Sequence, residues 1–302
     1  MITIVLVLLI LFASSYAFIY VSDFLKNRHT LSKKNWLSLL GIGLITDFLD
    51  TLGIGSFAIT ASIYKLGGFV DDLLLPGTMN AGHCLPTVAE ALIFMTVIKV
   101  DALTLTSMIL SSVIGAVFGA RIVTKLNLKA IRIGMGIALI AVAFIILAKL
   151  MNWMPAGNTA TGLTGIKLIV AVVANFFLGA FMTIGVGQYA PCMALVFALG
   201  MSPLVAFPIM MGSCAFLMPA ASIQFVKSKA IDRKAAMGLT IGGIVGVLIA
   251  AYLVKSMPLK ELTWVVLVIL VYTAFTMIRS AIIDSPVSKD PEDTSELTIA
   301  RV

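Results

Sequence analysis

Charge is scarce in this sequence. Asp, Glu, Lys and Arg make up 12% of the 302 residues, whereas 60% are hydrophobic. A soluble domain carries roughly 25% charged residues, so an ordinary water-facing globule is excluded. The strand signature of alternating apolar and polar residues is missing too, which excludes a membrane β-barrel. Cysteine is sparse: Cys84, Cys192 and Cys214 all lie in apolar runs, without CxxC or CxH spacing. Neither a disulfide framework nor a metal site is implied. No HExxH and no GxGD motif occurs. The glycine-rich run Gly242–Gly246 follows no strand, so it is a helix-packing surface and not a nucleotide loop. The net charge is +7, but no basic patch interleaved with aromatics is present, which argues against nucleic-acid binding. No Lys or Arg precedes the first apolar run, so a cleaved signal peptide lacks its basic region. A first membrane helix with its N-terminus outside is expected instead.

What is present is apolar sequence in runs of about 20 residues, the length that crosses a bilayer as helix. Lipid offers the backbone no partners, so these runs must be helical. The two halves also resemble each other. Leu52-Gly53-Ile54-Gly55-Ser56-Phe57-Ala58 matches Ile184-Gly185-Val186-Gly187-Gln188-Tyr189-Ala190; Leu66-Gly67 matches Leu199-Gly200, and Pro86 matches Pro219. A steady offset with matched glycine breaks is the mark of a duplication.

Basic residues set topology. They cluster at Lys26–Lys34, Arg121–Arg132 and Lys227–Lys234, while the loop 152–166 carries no charge. The three basic loops fall on the cytoplasmic side only if 36–66 dips into the membrane and returns, and if 167–199 does the same from outside. Full spans are then expected near 2–22, 73–98, 102–123, 130–151, 204–226, 235–254 and 262–281. The expected fold is an all-α polytopic membrane protein of two inverted repeats. Each repeat is a re-entrant broken-helix hairpin plus three transmembrane helices, with one extra N-terminal helix. The divisions are 1–25 for that helix, 36–151 and 167–281 for the repeats, and 284–302 for a polar cytoplasmic tail.

Inverted repeats with broken helices place substrates at the midplane between repeats. The breaks at Gly53/Gly55 and Gly185/Gly187 mark the hairpin tips. A half-helix that begins after a break presents N–H groups and the positive end of its dipole, which suits an anion. The paired Gly-x-Gly breaks, the trailing Leu-Gly and the duplication resemble the sulfite exporter TauE/SafE family over about 36–281. In place of the family's longer glycine run followed by proline, this chain reads GIGSF and GVGQYAP. The resemblance implies transport of sulfite or an organosulfur or other small organic anion across a bacterial inner membrane.

The polar residues inside the spans are then candidates for the site. Asp47 and Asp50 share a helix face at i, i+3. A charge at the bilayer centre costs roughly 2.5–3.5 kcal/mol on insertion scales, so this pair must be protonated, hydrated or paired. Together with His83 and Glu90 they form a candidate proton-coupling set; hydration at a cytoplasmic mouth is the plain alternative. Asn80, His83, Pro86, Thr87 and Glu90 line one helix face, with Glu90 in reach of His83. The second-half counterpart carries Ser213. Ser56, Gln188 and Tyr189 follow the breaks, placed to bind an anion or to cap the half-helices. The expected substrate-binding set is Gly53, Gly55, Ser56, Asn80, Gly185, Gly187, Gln188, Tyr189 and Ser213. No cofactor, metal or nucleic acid is expected. The expected partners are a small anion, a proton or other coupling ion, the bilayer and a second copy as a homodimer. A passive anion channel and an intramembrane enzyme are the competing readings.

Overall fold

The computed structural model describes residues 2–71, 73–119, 127–151, 159–182 and 188–283. Among them are eleven α-helices. The first, α1, is Ile2–Lys26. The first half continues with α2 (Trp36–Thr51), α3 (Phe57–Leu66), α4 (Leu75–Val97), α5 (Ala102–Ile114, prolonged by a π-helical turn Gly115–Gly119) and α6 (Leu128–Leu150). The second half runs α7 (Gly165–Met182), α8 (Tyr189–Ala198), α9 (Pro203–Lys227), α10 (Arg233–Ser256) and α11 (Leu259–Ile283). The order long helix, short helix, three long helices therefore occurs twice. The seven expected spans correspond to α1, α4, α5, α6, α9, α10 and α11; residues 120–123 of the third, the breaks at Gly185 and Gly187 and the tail 284–302 lie outside the described residues.

Six helices are long and apolar enough to cross a membrane: α1, α6, α7, α9, α10 and α11. Phe18, Phe144, Ile169, Tyr252, Val268 and Phe275 stand exposed on them, as a lipid-facing surface requires. The 23 residues of α4 are enough to span, but its polar stripe lowers its hydropathy. Its stripe residues His83, Pro86, Thr87 and Glu90 are buried against protein, and Asn80 is half-buried. Local sequence sets several helix starts: Asn35, Asp101 and Asp232 accept N–H bonds from Leu37, Thr104 and Ala235 and so cap α2, α5 and α10.

Glycines decide how the helices pair. A Cβ at Gly242 or Gly246 of α10 would collide with the carbonyls of Leu40 and Leu44 on α2. A Cβ at Gly115 or Gly179 would likewise collide with the carbonyls of Phe176 and Ser112, where α5 meets α7. Small residues let backbones approach where lipid supplies no hydrophobic drive between helices. In the same way α4 packs on α9, α6 on α11, and α10 and α5 flank the central pair. Exchanging the two halves maps α2–α10 onto α7–α5 and returns α4–α9 and α6–α11 to themselves.

Each short helix turns back along the helix before it. Leu39 of α2, Tyr64 of α3, Val70 and Ala235 of α10 share one buried cluster, and Tyr64 Oη donates to the Ala235 carbonyl at 3.2 Å. The end of α3 thus lies beside the start of α2. On this same face Lys34 pairs with Asp232 at 2.9 Å, Arg233 with Asp23 at 2.6 Å, and Lys234 lies 5.4 Å from the Trp36 ring. The basic segments 26–34 and 227–234 therefore lie together. In the second half, Lys167 Nζ donates to the Leu199 carbonyl at 3.3 Å, which brings the end of α8 to the start of α7. So α7, although long enough to cross, has its partner return to it. Ser202 N–H donates to Ala160 O, and Asp101 N–H to Thr161 O, both at 2.9 Å. Thr161 and Ser202 line one 430 Å³ cavity with Val254, near the end of α10. The two hairpins accordingly open at opposite ends of α10.

Both hairpins end alike. Gly68 (φ +61°) and Gly200 (φ +96°) hold positive dihedrals, with Phe69 N–H bonded to Tyr64 O and Met201 N–H to Val196 O. The structural register here is therefore Gly68 with Gly200, an offset of 200 − 68 = 132, one residue away from the Leu66-Gly67 match read from sequence.

Candidate functional site

The first tip is a five-residue link, 52–56, between α2 and α3. Gly53 (φ +95°) and Gly55 (φ +94°) take dihedrals that side chains disfavour. The glycine break expected from sequence is thus a real backbone reversal. It places the last turn of α2, the first turn of α3 and the middle of α4 around one point.

Four ionisable groups converge there. Asp47, His83 and Glu90 are fully buried and Asp50 is 4% exposed, so hydration at an open mouth does not explain them. His83 Nδ1 lies 2.8 Å from Asp47 Oδ1, and its Nε2 lies 2.9 Å from Thr60 Oγ1 on α3. Glu90 does not reach His83. It accepts from Thr51 Oγ1 at 2.7 Å and, at 3.4 Å, from Tyr189 Oη of the second hairpin. Asp50 Oδ1 accepts the backbone N–H of Ser56 at 2.6 Å, and Oδ2 lies 3.4 Å from the same Tyr189 hydroxyl. Tyr189 thereby joins the two halves of the chain at two carboxylates.

The N–H group at the start of α3 is not free, as the sequence reading supposed. Asp50 occupies it, and the Ser56 side chain makes no capping bond. Tertiary folding brings back a carboxylate six residues upstream, which a survey of side chains next to the break does not reveal.

Gln188, which precedes α8, has a different chemistry around it. Gln188 Nε2 donates to Ser112 Oγ at 3.0 Å and to Asn175 Oδ1 at 3.4 Å, and Asn175 Nδ2 donates to Met108 O at 2.7 Å. This network is neutral. Ser112 and Asn175, like Thr51 and Thr60, were not among the residues singled out from sequence. Asn175 had a legible signal, as the one amide in an otherwise apolar stretch of α7; the hydroxyls did not.

Beside the first tip lies a 70 Å³ cavity lined by Asp50, Gly55, Ser56, Phe57, Thr87, Met182, Tyr189, Cys214 and Met218. Residues from both hairpins and from α4 and α9 meet in its wall. Its volume suits a few waters. Of the expected substrate-binding set, the structure brings Gly55, Ser56 and Tyr189 to the cavity, with Gln188 and Gly53 adjacent in the chain. Asn80 bonds instead with Ser222 on α9, and the Ser213 hydroxyl turns back to the Ile209 carbonyl of its own helix. Gly185 and Gly187 lie outside the described residues. Cys84, Cys192 and Cys214 are buried free thiols, and Cys214 reaches the cavity. Among the described residues, no three His, Cys, Asp or Glu side chains are placed to hold a metal ion.

Comparison with known families gives one match: the family model described as Sulfite exporter TauE/SafE matches residues 166–300. This covers the second hairpin and the helices after it, and it agrees with the likeness read from the glycine breaks. Neither the curated proteins nor the solved structures gave a match.

Proposed function

We propose that the chain is a secondary transporter that moves a small anion, of the sulfite or organosulfonate class, by alternating access with proton coupling. One observation carries the reading: two helix-turn hairpins open at opposite ends of α10, and Asp50, Gly55 and Ser56 of the first meet Met182 and Tyr189 of the second around one small cavity. The opposed openings support an inverted relation between the halves. They also support placing the basic face at Lys34 and Arg233 in the cytoplasm of a bacterial cell, with the N-terminus outside. Broken helices at that depth occur where backbone lines a substrate path. The family match over 166–300 supports an anion as cargo.

Asp47, Asp50, His83 and Glu90 are the coupling groups in this reading. Three carboxylates face one imidazole, so the cluster needs bound protons to be neutral, and a membrane interior favours neutrality. Thr60, His83 and Asp47 stand in a hydroxyl–imidazole–carboxylate relay, so it is the paired broken-helix hairpins and the family match, not the cluster alone, that speak for transport over intramembrane catalysis. The test is reconstitution into liposomes with sulfite, sulfoacetate and methanesulfonate as probes. Saturable uptake with trans-stimulation is expected. Non-saturating flux without trans-stimulation indicates a channel, and the absence of protein-dependent flux for all three anions overturns the proposal.

A further inference from the structure

We infer that Asp50 is a tethered stand-in for the transported anion, and that anion and proton therefore move in the same direction. The inference rests on the anion-transport reading above. Its ground is the place that Asp50 occupies. Its Oδ1 takes the Ser56 N–H, at the start of the half-helix that lines the inter-hairpin cavity. The other oxygen lies 3.4 Å from the Tyr189 hydroxyl, and both residues line the cavity. A carboxylate of the protein thus sits where an anion would be received.

The second hairpin shows that this is not a demand of the fold. At the offset of 132, Asp50 corresponds to Met182 and Asp47 to Gly179. The described residues beside the second break, Gln188, Ser112 and Asn175, are neutral and bond to one another. The start of α8 thus has neutral company, whereas the start of α3 is met by a carboxylate.

Charge then sets the order of events. The groups facing Asp50 are Asp47 on its own helix, His83 and Glu90 on α4, Tyr189 on α8 and Cys214 on α9. Only His83 among them can carry positive charge, and it is engaged by Asp47. A free anion about 4 Å from one uncompensated carboxylate is disfavoured by about a thousandfold at a partly screened dielectric. Deprotonated, Asp50 holds the N–H and repels the anion. Protonated, it loses most of its hold on the N–H, which becomes free for the anion, and the repulsion is gone. Loading thus takes up one proton, from solvent to the Asp50 carboxylate, for each anion bound. Exchange of the anion against a proton would demand the reverse, that the anion enter while the cluster is charged.

The experiment uses the full chain in liposomes, with the membrane potential clamped to zero and methanesulfonate, sulfite and sulfoacetate as probes. With the outside one pH unit more acid, methanesulfonate should accumulate inside up to about tenfold, as one proton per monovalent anion requires. In Asp50→Asn the ratio of uptake with and without the gradient should fall to one. In detergent, adding methanesulfonate to wild type in weak buffer should make the solution more basic, a readout that needs no variant to fold. Flux that ignores the gradient, accumulation driven by an alkaline outside, or proton release on binding would each overturn the inference while leaving anion transport standing. Absence of flux for every probe would remove both.

Discussion

At the level of single residues, Gly55 and Tyr189 separate backbone from side-chain roles. A Cβ at Gly55 meets nothing within 4 Å, so Gly55→Ala is strained only through its dihedral of +94°. That strain costs of order 1–3 kcal/mol. A stable protein with sharply reduced transport is expected, and a bulkier residue should abolish flux; thermal melting together with liposome uptake separates the two effects. Tyr189→Phe removes the one hydroxyl that contacts both Asp50 and Glu90. Its expected result is a changed pH profile of transport with a modest fall in melting temperature, since a hydrogen bond to a charged group contributes about 1.5–3 kcal/mol and these two are long. An unchanged pH profile would exclude Tyr189 from the coupling cluster. Removing His83 is more severe, because it leaves Asp47 buried without its partner, a loss of about 3–5 kcal/mol. His83→Ala should therefore lower stability and activity together, read by melting and uptake.

Between helices, the contact of α2 with α10 distinguishes packing from site geometry. Gly246 faces the Leu44 carbonyl, and Gly243 faces the carboxylate of Asp47 and the ring of Pro86. An alanine at either position overpacks the seam, at typically 1–3 kcal/mol. Gly246→Ala should lower the melting temperature and leave the pH dependence of the remaining transport unchanged. Gly243→Ala would displace the Asp47 carboxylate or Pro86 beside it, so it should shift that pH dependence as well. Equal pH profiles for the two variants would show that the Asp47–His83 geometry is not felt by transport. The same seam exists between α5 and α7, where Gly179 stands at the position of Asp47 (179 − 47 = 132) and Ser112 at that of Gly243 (243 − 112 = 131). In this second seam the close approach recurs and different groups fill it.

For the whole molecule, the two hairpin openings give a topology that labelling can test. Single cysteines placed at 66–71 should react with a membrane-impermeant reagent from the cytoplasmic side. Single cysteines at 200–202 should react from the opposite side. Reaction of the first set from outside alone would mean that α2 and α3 together cross the membrane, and the hairpin reading would fail. The background thiols Cys84, Cys192 and Cys214 are buried, so they interfere little.

Much of this was settled by sequence. Hydropathy and helix length determine that the chain is helical and membrane-embedded, because lipid leaves the backbone no other choice. The first glycine pair was legible as a break, since glycine takes at low cost the positive dihedrals seen at Gly53 and Gly55. The acids Asp47, Asp50 and Glu90 stood out because charge in an apolar run is expensive. What sequence could not decide is who meets whom. Asn80, on the polar stripe, turns to Ser222, whereas His83, a turn later, turns to Asp47; period alone assigns both to one face. The place of Asp50 on the Ser56 N–H and the bridge from Tyr189 to the first half are contacts across chain distances of 6 and 139 residues. Such contacts follow from how the hairpins fold back and from the glycine seams that set their depth. Tertiary structure therefore decided that the start of α3 is already held by the protein's own carboxylate.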